Sequence, residues 1–191
     1  MDSVSILIAA GSDILLKKLK TFLVQNGYRV VEQAKEGNEC LRKMRTIRPF
    51  LAVLDYDIPV INGFELARIA VEDNLCEVIL IASSEQRNQI NHAKLERDII
   101  VVTKPLVREN FLDLLELVIR NRRRILKLEK EINELKETLE ARKVIERAKG
   151  ILMKNLGLTE DEAYRRLQKQ SMDRGIPLKD IAKAIILAYD I

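Results

Sequence analysis

The sequence predicts an α/β protein: a flavodoxin-like, doubly wound domain with a five-stranded parallel sheet, then a long coiled-coil helix and a small three-helix unit. Three observations carry this. Short apolar runs alternate with segments of helical spacing over residues 1–118, no Gly or Pro interrupts the chain between Pro105 and Gly150, and capping signals divide the C-terminal residues into further helices. Strict alternation of β and α segments requires crossover connections, hence parallel strands with helices on both faces. In such sheets chemistry gathers at the carboxyl ends of the strands.

Residues 4–10, 28–32, 51–55, 78–82 and 99–102 read as strands, being short and mostly rich in Val, Ile and Leu. Between them, 14–25, 37–47, 63–73 and 85–95 carry helical spacing, as Leu15, Leu19, Phe22 and Leu23 illustrate. From 107 to 155 the pattern is one helix. Within it Val118, Ile125, Leu128, Ile132, Leu135 and Leu139 follow the three-and-four stepping of a coiled-coil seam, with Asn121 as a polar member and Lys127, Glu129, Lys130, Glu131, Glu134 and Lys136 on the flanks. Two arrangements satisfy this seam: a helix lying on its own domain, or a parallel dimer joined through Ile125, Leu128, Ile132, Leu135 and Leu139. The dimer is favoured, because the chain leaves a domain too small to cover so long a stripe. The long helix stops at Gly157, and Thr159-Glu160-Asp161-Glu162 is a capping box that opens a second helix. Gly175 is placed to end it, and Pro177 suits the first turn of a third helix reaching Tyr189. The expected divisions are 1–118, 119–138 and 139–191.

Composition narrows the function. No apolar run approaches the roughly 20 residues of a membrane span, and the first residues lack the basic segment and cleavage site of a secretory signal. Two cysteines, Cys40 and Cys76, with one histidine, His92, make neither a disulfide framework nor a zinc set. A cytoplasmic protein without a resident metal or cofactor is expected. The formal charge of +4 is localised: residues 1–110 hold 15 basic and 15 acidic residues, whereas 111–191 hold 18 and 14. Any polyanion partner is therefore sought in the C-terminal part, although an ordinary solvated surface explains the same excess. No nucleophile elbow, Walker or Rossmann glycine pattern appears, so an enzyme is not expected.

Val53-Leu54-Asp55-Tyr56-Asp57-Ile58-Pro59-Val60-Ile61-Asn62-Gly63 and Lys104-Pro105 resemble segments of the response-regulator receiver domain, the module phosphorylated on aspartate by a sensor kinase. The resemblance spans residues 5–106. It implies Asp55 as the phosphoacceptor, Lys104 as the lysine contacting the phosphoryl oxygens, and Mg²⁺ only where phosphorylation takes place. This chain departs from the family at several positions. Ala10 and Gly11 stand where the family has two acidic residues, with Asp13 one turn on. Ala82 stands at a Thr/Ser position with Ser83 beside it, and Val101 replaces an aromatic residue. The missing carboxylates would hold the hard cation that neutralises charge during transfer, so a degenerate receiver is expected. Asp57 reads as a solvated turn residue.

Residues 136–191 resemble the ANTAR domain, an RNA-binding module of transcription antitermination regulators. The match runs through Leu139, Arg142, Ile145 and Ala148-Lys149-Gly150-Ile151-Leu152-Met153, then Glu162-Ala163-Tyr164 and Leu167, then Leu178, Ile181-Ala182 and Ile185; Ser171-Met172 departs slightly. At 100° per residue, Ala141, Ile145, Ala148 and Leu152 form one apolar stripe. Arg142, Glu146, Lys149 and Met153 form another face, bordered by Arg147 and Gly150. Arg142, Arg147, Lys149, Gly150 and Met153 are thus candidate RNA contacts, with Met153 open to a packing role and Gly150 to a helix–helix contact. Tyr164 and Tyr189 could stack on bases, but core packing is the favoured expectation for both. The resemblance implies binding of hairpins in leader transcripts; with the seam, the expected protein is a dimeric antitermination regulator, and a sensor kinase or a ligand-sensing protein is the expected input partner. A DNA-binding regulator and a dimeric signalling adaptor are the alternatives. The apolar third helix argues against a DNA recognition helix.

Overall fold

The computed structural model describes residues 4–90 and 99–189. The chain divides between Arg123 and Arg124 into two compact units. In the first, β1 (Ser5–Ala9), β2 (Arg29–Ala34), β3 (Leu51–Asp55), β4 (Glu77–Ala82) and β5 (Ile100–Thr103) form one sheet ordered β2-β1-β3-β4-β5, and every neighbouring pair is parallel. Helices α1 (Asp13–Gln25), α2 (Gly37–Ile47), α3 (Gly63–Glu72) and α4 (Ser84–Ile90) alternate with the strands, and α5 (Arg108–Leu156) comes after β5. The expected doubly wound fold is present. The last residues expected in the fourth helix, 91–95, and with them His92, lie outside the described residues.

Both faces of the sheet are covered, which is why its central strands are apolar throughout rather than alternating. Ile6, Ile8, Leu51, Val53, Ile79 and Ile81 pack with Leu16, Leu19 and Leu23 of α1 and with Phe111, Leu115 and Val118 of α5. The residues between them, Leu7, Ala9, Ala52, Leu54, Val78, Leu80 and Ala82, face the opposite core, with Cys40 and Met44 of α2 and Leu66, Ala67 and Ala70 of α3. β2 runs two residues past its expected end. It is an edge strand, so Glu32 and Gln33 can stay in the ladder opposite Leu7 and Ile8 while remaining partly exposed. Ser12 and Asn62 cap α1 and α3, their side-chain oxygens accepting from Leu15 N (3.4 Å) and Glu65 N (2.9 Å). Gly63 opens α3 because a Cβ there would collide with the Asp55 carbonyl; the missing side chain lets the helix start against the end of β3.

In the second unit, the C-terminal part of α5 packs with α6 (Glu160–Arg174) and α7 (Leu178–Tyr189). Ala148, Leu152, Ala163, Leu167, Ile181 and Ala182 are its buried centre. The capping box at Thr159 and Glu162 is formed in both directions, and Gly175 ends α6 at φ 64°, a left-handed conformation that suits glycine. Pro177 stands immediately before α7, its carbonyl accepting from the N–H groups of Asp180 and Ile181. Of the expected seam, Val118 is buried against the sheet, whereas Ile125, Leu128, Ile132, Leu135 and Leu139 are each between 45% and 64% exposed. No helix among the described residues is long and apolar enough to cross a membrane.

Cys40 and Cys76 are buried, and burial pushes each thiol up to about 12. At pH 8 only about one thiol in ten thousand would be thiolate, the form that attacks disulfide reagents. The native protein should therefore release almost no chromophore from Ellman's reagent in minutes, and two equivalents once unfolded in guanidinium. Rapid native-state reaction of either cysteine would contradict this packing.

Candidate functional site

The parallel sheet brings Asp55, at the end of β3, and Lys104, just beyond β5, to one edge although β4 lies between their strands. Asp55 is 4% exposed. Lys104 Nζ stands 2.6 Å from Asp55 Oδ1 and 3.3 Å from Asp57 Oδ2, so one ammonium serves both carboxylates. Backbone bonds fix the frame: Tyr56 N donates to Ile81 O (2.8 Å) and Lys104 N to Ala82 O (2.8 Å). Burial alone would lower the Lys104 pKa, but the bonds and charges of Asp55, then Asp57, outweigh it and hold the ammonium above its ordinary value.

Ser83, already noted beside Ala82, and Gln86, which the sequence alone does not single out, complete this edge. Ser83 and Gln86 form a reciprocal cap on α4: Ser83 N donates to Gln86 Oε1 (2.8 Å) and Gln86 N to Ser83 Oγ (3.2 Å). Gln86 Nε2 then donates to Asp57 Oδ1 (2.7 Å). The Ser-x-x-Gln spacing was the available signal. Asp57 is exposed, but it is not merely a solvated turn residue, since Lys104 and Gln86 both hold it. Ser83, beside the Thr/Ser position taken by the buried Ala82, spends its hydroxyl on the cap.

At the end of β1, Ala10 is fully buried, and a Cβ on Gly11 would lie 2.9 Å from Asp57 O and 3.1 Å from Pro59 Cδ. As folded, this loop excludes a side chain at position 11. Asp13 pairs with Lys35 (2.6 Å), and that bond, with the Lys35 charge, lowers its pKa. Among the described residues no group of three or more His, Cys, Asp or Glu side chains is arranged to hold a metal ion.

In the second unit Arg142, Arg147 and Gly150 are exposed and Met153 is 39% exposed. Nothing outside its own turn comes within 4 Å of a Cβ placed on Gly150, so among the described residues this glycine is not a helix–helix contact. Tyr164 and Tyr189, expected in the core, are instead 40% and 43% exposed. Ala163 and Leu167 supply the inward face of α6, which leaves Tyr164 turned about 100° from Ala163; Tyr189 closes α7 one turn beyond Ile185. Lys149 departs furthest from expectation. It is only 7% exposed, and its Nζ sits 2.8 Å from Glu146 Oε1 and 2.7 Å from Glu160 Oε1, 6.0 Å from the centre of the Tyr164 ring. The hydrogen bonds it donates to Glu146 and Glu160 raise its pKa.

Comparison with known proteins matches both parts of the chain to families. Residues 6–116 match the response regulator receiver domain and residues 133–186 the ANTAR domain. The chain is similar to the transcriptional regulatory protein PdtaR of Mycobacterium tuberculosis, 28% identical over 181 residues covering 95% of this chain and 88% of the relative. It is also similar to the chemotaxis protein CheY of Listeria monocytogenes, 28% identical over 114 residues, 58% of this chain and 94% of that protein. Among solved structures, the receiver domain of a modulated diguanylate cyclase from Desulfovibrio desulfuricans superposes with a TM-score of 0.56 at 25% identity, covering 64% of this chain and 98% of that one. With a receiver match over more than half its length, its doubly wound sheet, and a second family match on the helices behind it, the chain belongs to the response regulators and carries a C-terminal ANTAR domain.

Proposed function

We propose that this response regulator is a transcription antitermination factor that binds stem-loops of nascent leader RNA through a dimeric ANTAR domain. The observation that carries the reading is the surface of that domain, where Arg142 and Met153 lie exposed on the helix that bears Lys149 and the half-exposed Tyr164 ring lies 6.0 Å from the Lys149 ammonium. Cations neutralise phosphates, while a half-exposed aromatic ring and a thioether offer surfaces to unstacked loop bases. The similarity over nearly the whole chain to a transcriptional regulator supports a regulator rather than an enzyme.

Dimerisation is supported by the uncovered stripe Ile125, Leu128, Ile132, Leu135 and Leu139 on α5. A partner helix would bury it, at about 1.5–3 kcal/mol for each side chain fully removed from water. Two ANTAR domains joined this way would engage two hairpins at high effective concentration.

Control passes through the receiver without conventional phosphorylation. The residues around Asp55 do not fit Mg²⁺: Ala10 and Gly11 bring no carboxylate, Asp13 is held by Lys35, and Lys104 already bridges Asp55 and Asp57. A sensor kinase or a ligand-sensing protein remains the candidate input partner. If phosphoryl transfer takes place at all, Asp55 is the acceptor and Lys104 the group that meets the phosphoryl oxygens.

Receiver, seam and RNA face can each be tested. Incubation with acetyl phosphate and Mg²⁺ should leave most of the protein at its unmodified intact mass; rapid stoichiometric addition, lost in Asp55→Asn, would restore an ordinary phospho-switch. Leu128→Asp with Leu135→Asp should convert a dimer to monomers in sedimentation while the first unit stays folded, and a wild-type chain already monomeric at tens of micromolar would refute the seam. The protein should prefer its own leader hairpins to duplex DNA, and Arg142→Ala should flatten the log-affinity against log-salt slope by about 0.7 per subunit. A preference for duplex would favour a DNA-binding regulator, and no binding to either would favour an adaptor.

A further inference from the structure

We infer that Glu160, seconded by Glu146, is an affinity-limiting residue of the RNA face: its carboxylate occupies the Lys149 ammonium, and an RNA phosphate or base must displace it. The inference rests on the RNA reading above. The Lys149 side chain is 9% exposed, whereas those of Glu146 and Glu160 are 54% and 67% exposed, so the two acids lie on the solvent side of the lysine. Other pairs on this unit differ. Lys143 with Glu140 and Lys183 with Asp180 leave both partners more than half exposed, and such pairs are worth little.

An ammonium has three N–H donors. Glu146 and Glu160 each accept from it, and the Tyr164 ring lies 6.0 Å away. One donor is left over, but the lysine side chain is 9% exposed behind two acids that are 54% and 67% exposed, so an RNA oxygen approaching Lys149 meets their carboxylates first and competes with them for the ammonium. Glu160 has its own reason to stay charged. It comes directly after the Thr159 cap in the first turn of α6, where the helix dipole favours an anion, and the Lys149 bond holds its pKa below the usual carboxylate range. Because the exchange replaces one anion by another, charge alone gains little there. Discrimination is left to shape, to Tyr164 and to Met153. Glu160 thus also limits binding of unrelated RNA.

The test uses the full chain, its own leader hairpin and a hairpin with a scrambled loop, read by fluorescence anisotropy. Glu160→Gln keeps the shape and removes the charge. It should tighten binding about fivefold, the upper end of the range for exposed ion pairs, as suits a pair with one partner nearly buried, with the larger gain on the scrambled loop, and Lys149→Ala in that background should abolish the gain. Glu146→Gln, on the other helix, should show the same trend even if Glu160→Gln folds poorly. Nitrogen-detected NMR of the lysine ammonium gives a readout without RNA: a slowly exchanging Lys149 signal in the wild type, weakened in Glu160→Gln. Hairpin binding that is unchanged or weaker in both variants would overturn the proposal and leave Lys149 a strut between α5 and α6. Absence of hairpin binding by the wild type and every variant would overturn the RNA reading and this proposal with it, whatever the ammonium signal shows.

Discussion

A carboxylate buried at the end of an apolar sheet needs a counter-charge, and the edge of the receiver is organised around supplying one. Asp55 is 4% exposed, and burying a carboxylate without a partner is costly. Lys104 provides the charge from the far side of β4, and Asp57 shares it. The backbone bond from Lys104 N to Ala82 O fixes where the lysine leaves the sheet, and Gln86 ties Asp57 to the first turn of α4. Gly63 and Gly11, each at a place where a side chain would collide, let the loops close around this arrangement. Removing the lysine would leave Asp55 buried without its counter-charge, the costlier kind of loss.

Much of this is legible in the sequence. The end of α4 apart, the strands and the helices α1 to α5 lie within two residues of their expected bounds, because the apolar runs of β1, β3 and β4 and the stepping of α5 are long enough to dominate local ambiguity. The misses have specific causes. β2 runs past its apolar residues because an edge strand tolerates Glu32 and Gln33. The spacing of Tyr164 to Leu167 points it to the core, but three residues around a helix is about a 60° offset, enough to leave a side chain half outside when Ala163 already fills the inward position.

The candidate site is legible in residue type and less so in state. Asp55 and Lys104 meet as their motifs imply, yet nothing local to Asp57 announces Gln86, 29 residues away and across a strand. Helical angle places Lys149 beside Arg142 and Met153, as a projecting cation. Angle cannot show that α6 begins where its first acid, Glu160, reaches back to α5. Long polar side chains are placed by partners distant in sequence, which periodicity does not encode.

The same device therefore recurs in both units: a lysine at the centre of the candidate chemistry is already matched by two acids, Asp55 and Asp57 in one, Glu146 and Glu160 in the other. This matters for how the charge of the chain is understood. On the proposed RNA-binding function, the C-terminal excess of basic residues would not act through Lys149 as long as its acids remain; long-range attraction of RNA would fall to exposed cations such as Arg142, and Lys149 would serve a ligand able to compete with a carboxylate. Attraction and recognition would thereby be separated onto different residues. The first would fall with salt, since exposed charges are screened; the second would depend on fit, since one anion competes with another at a lysine whose side chain is 9% exposed.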